Sequence, residues 1–176
     1  KKKFNLKKIG HAGTLDPKAE GILPIAINKT TKLIPFINLN KKKYNFKIKW
    51  GQETSTDDSE GDVLNSCSRI PKDYEINKAI NSFLGLIDQI PPKASAIKVN
   101  GKRAYALLRE NKNFSLDSKK VFLSSISHLY SDNNTSSFLI ECGKGFYVRS
   151  LARDISYKLE TYGHILELKR IKVGKF

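Results

Sequence analysis

Lys42-Lys43-Tyr44-Asn45-Phe46-Lys47-Ile48-Lys49-Trp50 is the stretch whose reading decides the fold. Positions 44, 46, 48 and 50 are aromatic or aliphatic, and positions 43, 45, 47 and 49 are Lys or Asn. Strict alternation marks a β-strand with one face buried and the other basic. Downstream, Gly51 to Gly61 reads as a polar, acidic surface loop, with Glu53, Asp57, Asp58 and Glu60 an exception in a basic chain. Residues 74–84 read as a helix with Ile76, Ile80, Phe83 and Leu84 on one face and Gly85 as its stop. Gln89-Ile90-Pro91-Pro92-Lys93 is an extended connection, and Asn100-Gly101 after Ile97-Lys98-Val99 signals a tight turn. A helix follows over Ala104–Arg109, then strands over about 120–130 and 137–142. Residues 147–160 form a helix by the spacing of Leu151, Ile155 and Leu159, ended by Gly163, and a last strand spans about 165–173. Long strands with interspersed helices and no regular β-α alternation indicate an α+β fold with a mixed, mainly antiparallel central sheet and flanking helices.

Upstream of the alternating strand, Thr30 is placed to cap a short helix over residues 31–39. Ile22 to Ile27 is apolar throughout, as a strand covered on both faces is, with Pro24 marking a bulge or irregular edge. Before it lies Gly10-His11-Ala12-Gly13-Thr14-Leu15-Asp16-Pro17-Lys18-Ala19-Glu20-Gly21. Its glycines permit turns and close backbone approach, and Pro17 drives Asp16 into an extended conformation. Turn chemistry alone reads this as an ordinary turn that contains an acid.

At 176 residues the chain is long enough for one domain with a real core. No apolar run reaches the length of a membrane span, and no signal-peptide pattern is visible. The two cysteines, Cys67 and Cys142, lack Cys-x-x-Cys or Cys/His spacing and read as buried or incidental thiols of a cytosolic protein. The absence of methionine points to a beginning that lies upstream. The formal charge of +15 comes from 32 basic and 17 acidic residues. Its clusters at 1–8, 41–49, 98–103 and 169–175 recur near aromatics (Tyr44, Phe46 and Trp50; Tyr105; Phe146 and Tyr147), which favours a nucleic-acid surface over plain solvation.

There is no phosphate-binding Gly-x-x-x-x-Gly-Lys-Ser/Thr loop, no dinucleotide Gly-x-Gly-x-x-Gly and no Gly-x-Ser-x-Gly elbow. His11, His128 and His164 have no ligand spacing, so no metal site is expected. Gly143-Lys144-Gly145-Phe146-Tyr147-Val148-Arg149 places a Lys, two aromatics and an Arg at the mouth of a helix. Arg149 in the first turn opposes the helix dipole and calls for a partner anion; its plain alternative is a surface Arg.

Gly-His-Ala-Gly-Thr-Leu-Asp-Pro, with Ala19-x-Gly21-Ile22-Leu23-Pro24 after it, resembles the catalytic motif of the TruB-type tRNA pseudouridine synthases. Further segments match in order: Lys43-Tyr44, Gly51-Gln52 through Asp57 to Gly61-Asp62, and Gln89-Ile90-Pro91-Pro92 through Ser95-Ala96-Ile97-Lys98 to Tyr105. Lys144-Gly145-x-Tyr147-Val148-Arg149 and Leu168-Lys169-Arg170 complete the series, so the resemblance runs over essentially the whole chain. It implies isomerisation of uridine 55 in the TΨC arm of tRNA without metal, ATP or redox cofactor. Asp16 is then the nucleophile, Arg149 a catalytic residue that would hold its carboxylate if the two meet in the fold, and Tyr44 the residue that stacks on the base and moves a proton. Substrate contacts fall on His11, Lys98, Lys144, Tyr147 and Leu168. Residues 1–176 correspond to the family's catalytic domain, without its first strand or the C-terminal PUA-like domain of many members. A cytoplasmic monomer with tRNA as partner, and no membrane association, is the matching expectation. A non-catalytic RNA-binding or tRNA-folding module, and a related synthase acting on another RNA, are the alternatives.

Overall fold

The structure is a computed structural model and describes residues 6–176. Most of the first basic cluster, residues 1–5, lies outside the described residues. The expected α+β architecture is present. In chain order come strands β1 (Ile9–His11), β2 (Glu20–Gly21), β3 (Ile25–Ile27), β4 (Lys42–Trp50), β5 (Gln52–Thr54) and β6 (Val63–Ser66). Helix α1 (Asp73–Ile80), strands β7 (Gly85–Gln89), β8 (Lys98–Val99) and β9 (Lys102–Arg103), and helix α2 (Ala104–Arg109) follow. The chain closes with β10 (Lys119–Asp132), β11 (Thr135–Cys142), α3 (Val148–Lys158) and β12 (Gly163–Val173). Six strands form the central sheet in the order β2-β12-β4-β11-β10-β7, antiparallel throughout except for the parallel β12–β2 pair. No helix among the described residues is long and apolar enough to cross a membrane.

The alternating strand is one of the two innermost members of this sheet, and its period decides which face is core. Phe46, Ile48 and Trp50 are fully buried and Tyr44 nearly so. Phe46 stacks on Phe138 of β11 at 5.2 Å, and Trp50 meets the same ring edge-on at 6.4 Å. The indole N–H of Trp50 donates to Ser136 Oγ at 2.8 Å, so the ring buries no orphan donor. Ile76 and Ile80 of α1 and Leu151 and Ile155 of α3 complete the core on that side. On the opposite face Lys43 and Lys47 pair with Glu141 and Glu167 at 3.3 and 2.9 Å.

Helix α3 lies so close to the sheet that one position between them admits no side chain. A Cβ on Gly163 would fall 2.5 Å from Ser156 Oγ, 3.0 Å from Ile48 Cγ2 and 3.1 Å from Trp50 Cε3. Gly163→Ala is therefore expected to cost about 1–3 kcal/mol by overpacking. A chain of this size should lose about 2–4 °C of Tm per kcal/mol, read by calorimetry.

Several expectations are corrected. Of the Ile22 to Ile27 run, residues 25–27 form a strand, paired with β1 in a separate two-stranded sheet; Ile25 and Ile27 are exposed and Ala26 is buried. Its apolar run therefore does not signal cover on both faces. The helix over 31–39 is instead a 3-10 run over Asn28–Phe36 with no side-chain cap from Thr30. Asn28 turns at a φ of 51°, Pro35 lies within the run, and no residue there is buried, so packing does not select an α-helix. Helix α1 ends at Ile80 and a 3-10 turn follows, while Gly85 opens strand β7, the sheet edge, in a stretch where no strand was expected. Helix α3 stops at Lys158 and Glu160 turns left-handed, so the helix has ended before Gly163 opens β12. The acidic 51–61 segment is no loose loop: β5 and β6 pair within and after it, and its aspartates point inward.

Candidate active site

The loop between β1 and β3 carries Asp16. Ala12 N–H donates to Pro24 O at 3.0 Å, Ala19 N–H closes a turn on Asp16 O at 3.0 Å, and Ile22 N–H donates to Arg170 O at 2.8 Å. Gly21 lies against β12 with φ of +102°, and a Cβ there would sit 2.1 Å from Arg170 O. Only glycine lets this backbone return to the sheet edge.

Arg149, the second residue of α3, is 6% exposed and meets that loop. Its Nη2 donates to Asp16 Oδ1 at 2.9 Å and to Ala94 O at 3.1 Å. Its Nη1 donates to Thr56 O at 3.0 Å and lies 3.3 Å from Asp58 Oδ2. One guanidinium thus binds two carboxylates and two carbonyls, which offsets both its burial and its position against the helix dipole. Nε of Arg149 has no hydrogen-bond partner among the described residues. Asp58 is itself held by a hydrogen bond from Thr56 Oγ1 to its Oδ1 at 2.6 Å.

The start of α3 is pinned by Gln89 at the end of β7. Gln89 Nε2 donates to Tyr147 O at 3.0 Å, and Tyr147 N–H donates to Gln89 Oε1 at 2.8 Å. Ser150 Oγ adds a bond to Ile90 O at 2.8 Å. One turn along, Arg153 binds Asp57 Oδ2 at 2.9 Å and Ile90 O at 2.8 Å. Burial pushes the Asp57 carboxyl up to about 6, against the opposing pull of Arg153 and Arg149.

These groups open onto a cavity of about 680 Å³ lined by Asp16, Tyr44, Tyr105, Tyr147, Arg149 and Leu168, among others. Its size lies in the range of small-molecule sites. Burial raises the hydroxyl pKa of Tyr44 and Tyr147, so both phenols keep their protons at neutral pH. A second cavity of about 430 Å³ holds His11, Lys42, Lys144 and Arg170, and shares Thr14, Tyr44, Phe146 and Tyr147 with the first.

Of the residues singled out from sequence, Asp16, Tyr44, Tyr147, Arg149 and Leu168 share one cavity, with His11 and Lys144 in the adjoining one. Lys98 stands on the exposed β8–β9 hairpin and lines neither. Sequence reasoning missed Thr56, Asp57 and Asp58, although their signal was legible: an acidic run in a basic chain. It also gave no role to Gln89 or Arg170, although both stand in segments that match the family, and Arg170 is in register with buried Tyr44 on the neighbouring strand.

Residues 1–148 match the family model described as TruB family pseudouridylate synthase, N-terminal domain. The chain is 45% identical to "tRNA pseudouridine synthase B" of Wolbachia pipientis over all of its own length and 50% of that protein's. It is also 45% identical to the protein of that name from Rhizobium etli, over 98% of this chain and 56% of that one. The chain thus spans about half the length of the curated relatives it matches. Among solved structures, a chain of a Cbf5-Nop10-Gar1 complex aligns with 99% of this chain and 43% of its own, at a TM-score of 0.72 and 27% identity. A chain from an H/ACA RNP bound to a substrate RNA containing 2′-deoxyuridine aligns at 0.69 over 99% of this chain and 41% of its own; at 23% identity that likeness concerns the fold.

Proposed function

The chain belongs to the TruB pseudouridylate synthase family, and from that premise we propose that residues 1–176 are the catalytic domain of a tRNA pseudouridine synthase acting on uridine 55 of the TΨC arm, with Asp16 as nucleophile. The observation that carries this reading is the Arg149 guanidinium held between Asp16 and Asp58 at the floor of a cavity walled by Tyr44 and Tyr147.

The reaction breaks the N1–C1′ bond, turns the uracil and joins C5 to C1′; C5 loses a proton and N1 gains one. It consumes no second substrate. The work left to the protein is to hold the base and to offer a carboxylate near C1′ and C6. Arg149 holds the Asp16 carboxylate in place through the 2.9 Å bond from its Nη2. The ring of Tyr44 stacks on the base, and its protonated hydroxyl is the group suited to hand over or receive the migrating proton. Taking the target base out of its stack costs a few kcal/mol, offset by stacking in the cavity and by phosphate contacts along the basic surface.

The 45% identity to proteins named for tRNA, against 27% to the Cbf5 chain, favours a tRNA substrate over a guide-dependent RNA. The test is to incubate the full-length protein with unmodified tRNA transcript and map pseudouridine by nuclease digestion and mass spectrometry. One pseudouridine at position 55 is the expected result. Modification elsewhere, or of a guide-paired RNA alone, overturns the assignment of the substrate. Raising salt from about 50 to 200 mM should weaken binding by orders of magnitude if several phosphates are contacted.

A further inference from the structure

The buried guanidinium of Arg170 stands in the core beside the Tyr44 hydroxyl and grips the loop that carries Asp16. The residue is 1% exposed, yet among the described residues it forms no salt bridge. A buried cation without a carboxylate is costly, and an apolar side chain at such a place is ordinarily the more stable choice. Instead, each guanidinium nitrogen donates to a backbone carbonyl of one loop: Nε to Ile22 O at 2.8 Å, Nη1 to Thr14 O at 3.1 Å and Nη2 to Gly13 O at 3.2 Å. The Arg170 carbonyl accepts the Ile22 amide at 2.8 Å, so one residue holds the loop by side chain and main chain together. Lys42 alongside does not compensate the charge; its Nζ donates to Leu39 O at 3.0 Å, and burial lowers its pKa.

The three carbonyls have a telling position. Gly13 and Thr14 lie just before Asp16, and Ile22 lies after it, where the loop rejoins the sheet. Arg170 therefore ties the two feet of the loop to each other and to β12, while Arg149 fixes the carboxylate at its tip. Neither contact duplicates the other: Arg149 orients a side chain, and Arg170 sets where the backbone beneath it stands. A planar fork can span three carbonyls at fixed angles, whereas an ammonium cannot.

We propose that Arg170 is a positioning residue for the isomerisation, acting through the Gly13, Thr14 and Ile22 carbonyls to set the distance from Asp16 to the bound uridine. The proposal rests on the catalytic reading above. Displacement of a reacting group by about 1 Å costs on the order of 100-fold in rate.

The test compares wild type, Arg170→Lys and Arg170→Met as full-length proteins, by single-turnover kinetics, tRNA binding and hydrogen exchange. Arg170→Lys should lose about 10- to 100-fold in kcat with tRNA affinity within about threefold, and Arg170→Met should lose more, as expected for a positioning loss. Amide exchange across residues 13–22 should rise in both, while that of β4 and β11 stays at wild-type rates. If Arg170→Met does not fold, Arg170→Lys decides alone. Wild-type kcat in a folded variant, or a fall in kcat with loop exchange unchanged, overturns the proposal. Should the wild type itself form no pseudouridine, the catalytic reading falls, and the positioning role falls with it.

Discussion

Asp16→Asn is expected to abolish pseudouridine formation, a loss of at least about 10⁴-fold, while tRNA binding stays within about threefold. A factor of 10⁴ corresponds to about 5.4 kcal/mol of transition-state stabilisation. The size follows from chemistry: an amide of the same shape cannot attack carbon or take up the charge that develops as the glycosidic bond opens. The fold should survive the change. The Asp16 side chain is one-third exposed, and its loss as an anion leaves Arg149 with Asp58 and the carbonyls of Thr56 and Ala94. A retained melting temperature with a lost rate therefore identifies a chemical role. The measurement is release of the uracil C5 hydrogen in single turnover with enzyme in excess. Unchanged release would falsify the assignment of Asp16 as nucleophile.

Arg149→Met is the second large effect, and it should strike stability and activity together. The substitution removes the shared cation and leaves two carboxylates facing each other across its place, with the Thr56 and Ala94 carbonyls unpaired. Breaking a buried charge pair from one side costs about 3–5 kcal/mol, which in a protein of this size lowers Tm by roughly 6–20 °C. The rate should fall by at least about 10³-fold, because Asp16 loses the group that orients it. Arg149→Lys separates the two effects. An ammonium can stay near one carboxylate but cannot satisfy four acceptors in two directions. It should recover much of the stability and little of the rate. Thermal melts read beside single-turnover rates decide this, and a lysine variant with wild-type kcat would dismiss the shared guanidinium as a catalytic device.

Local patterns told where the core is, and less about what enters it. The alternation in Lys42–Trp50 named the buried face of a central strand before any partner was known, because a half-buried strand must alternate. The periodicity of Leu151, Ile155 and Leu159 did the same for α3. The apolar run at Ile22 to Ile27 misled, since an exposed two-stranded sheet leaves Ile25 and Ile27 uncovered. Residues 51–61 misled in the opposite direction. Acidic and polar composition usually means solvent, but Asp57 and Asp58 are drawn inward by Arg153 and Arg149, which lie far along the chain.

The sequence by itself determined the α+β class, the inward parity of Tyr44, and the family whose motifs single out Asp16 and Arg149. These depend on short-range period and on motifs that stay contiguous in the chain. Tertiary structure alone decided that Arg149 serves two carboxylates, that Gln89 pins the start of α3, and that Arg170 holds both feet of the Asp16 loop. Each is a contact between polar groups tens of residues or more apart. A buried polar group takes whichever partner the packing brings to it, and its identity in the sequence does not say which partner that is.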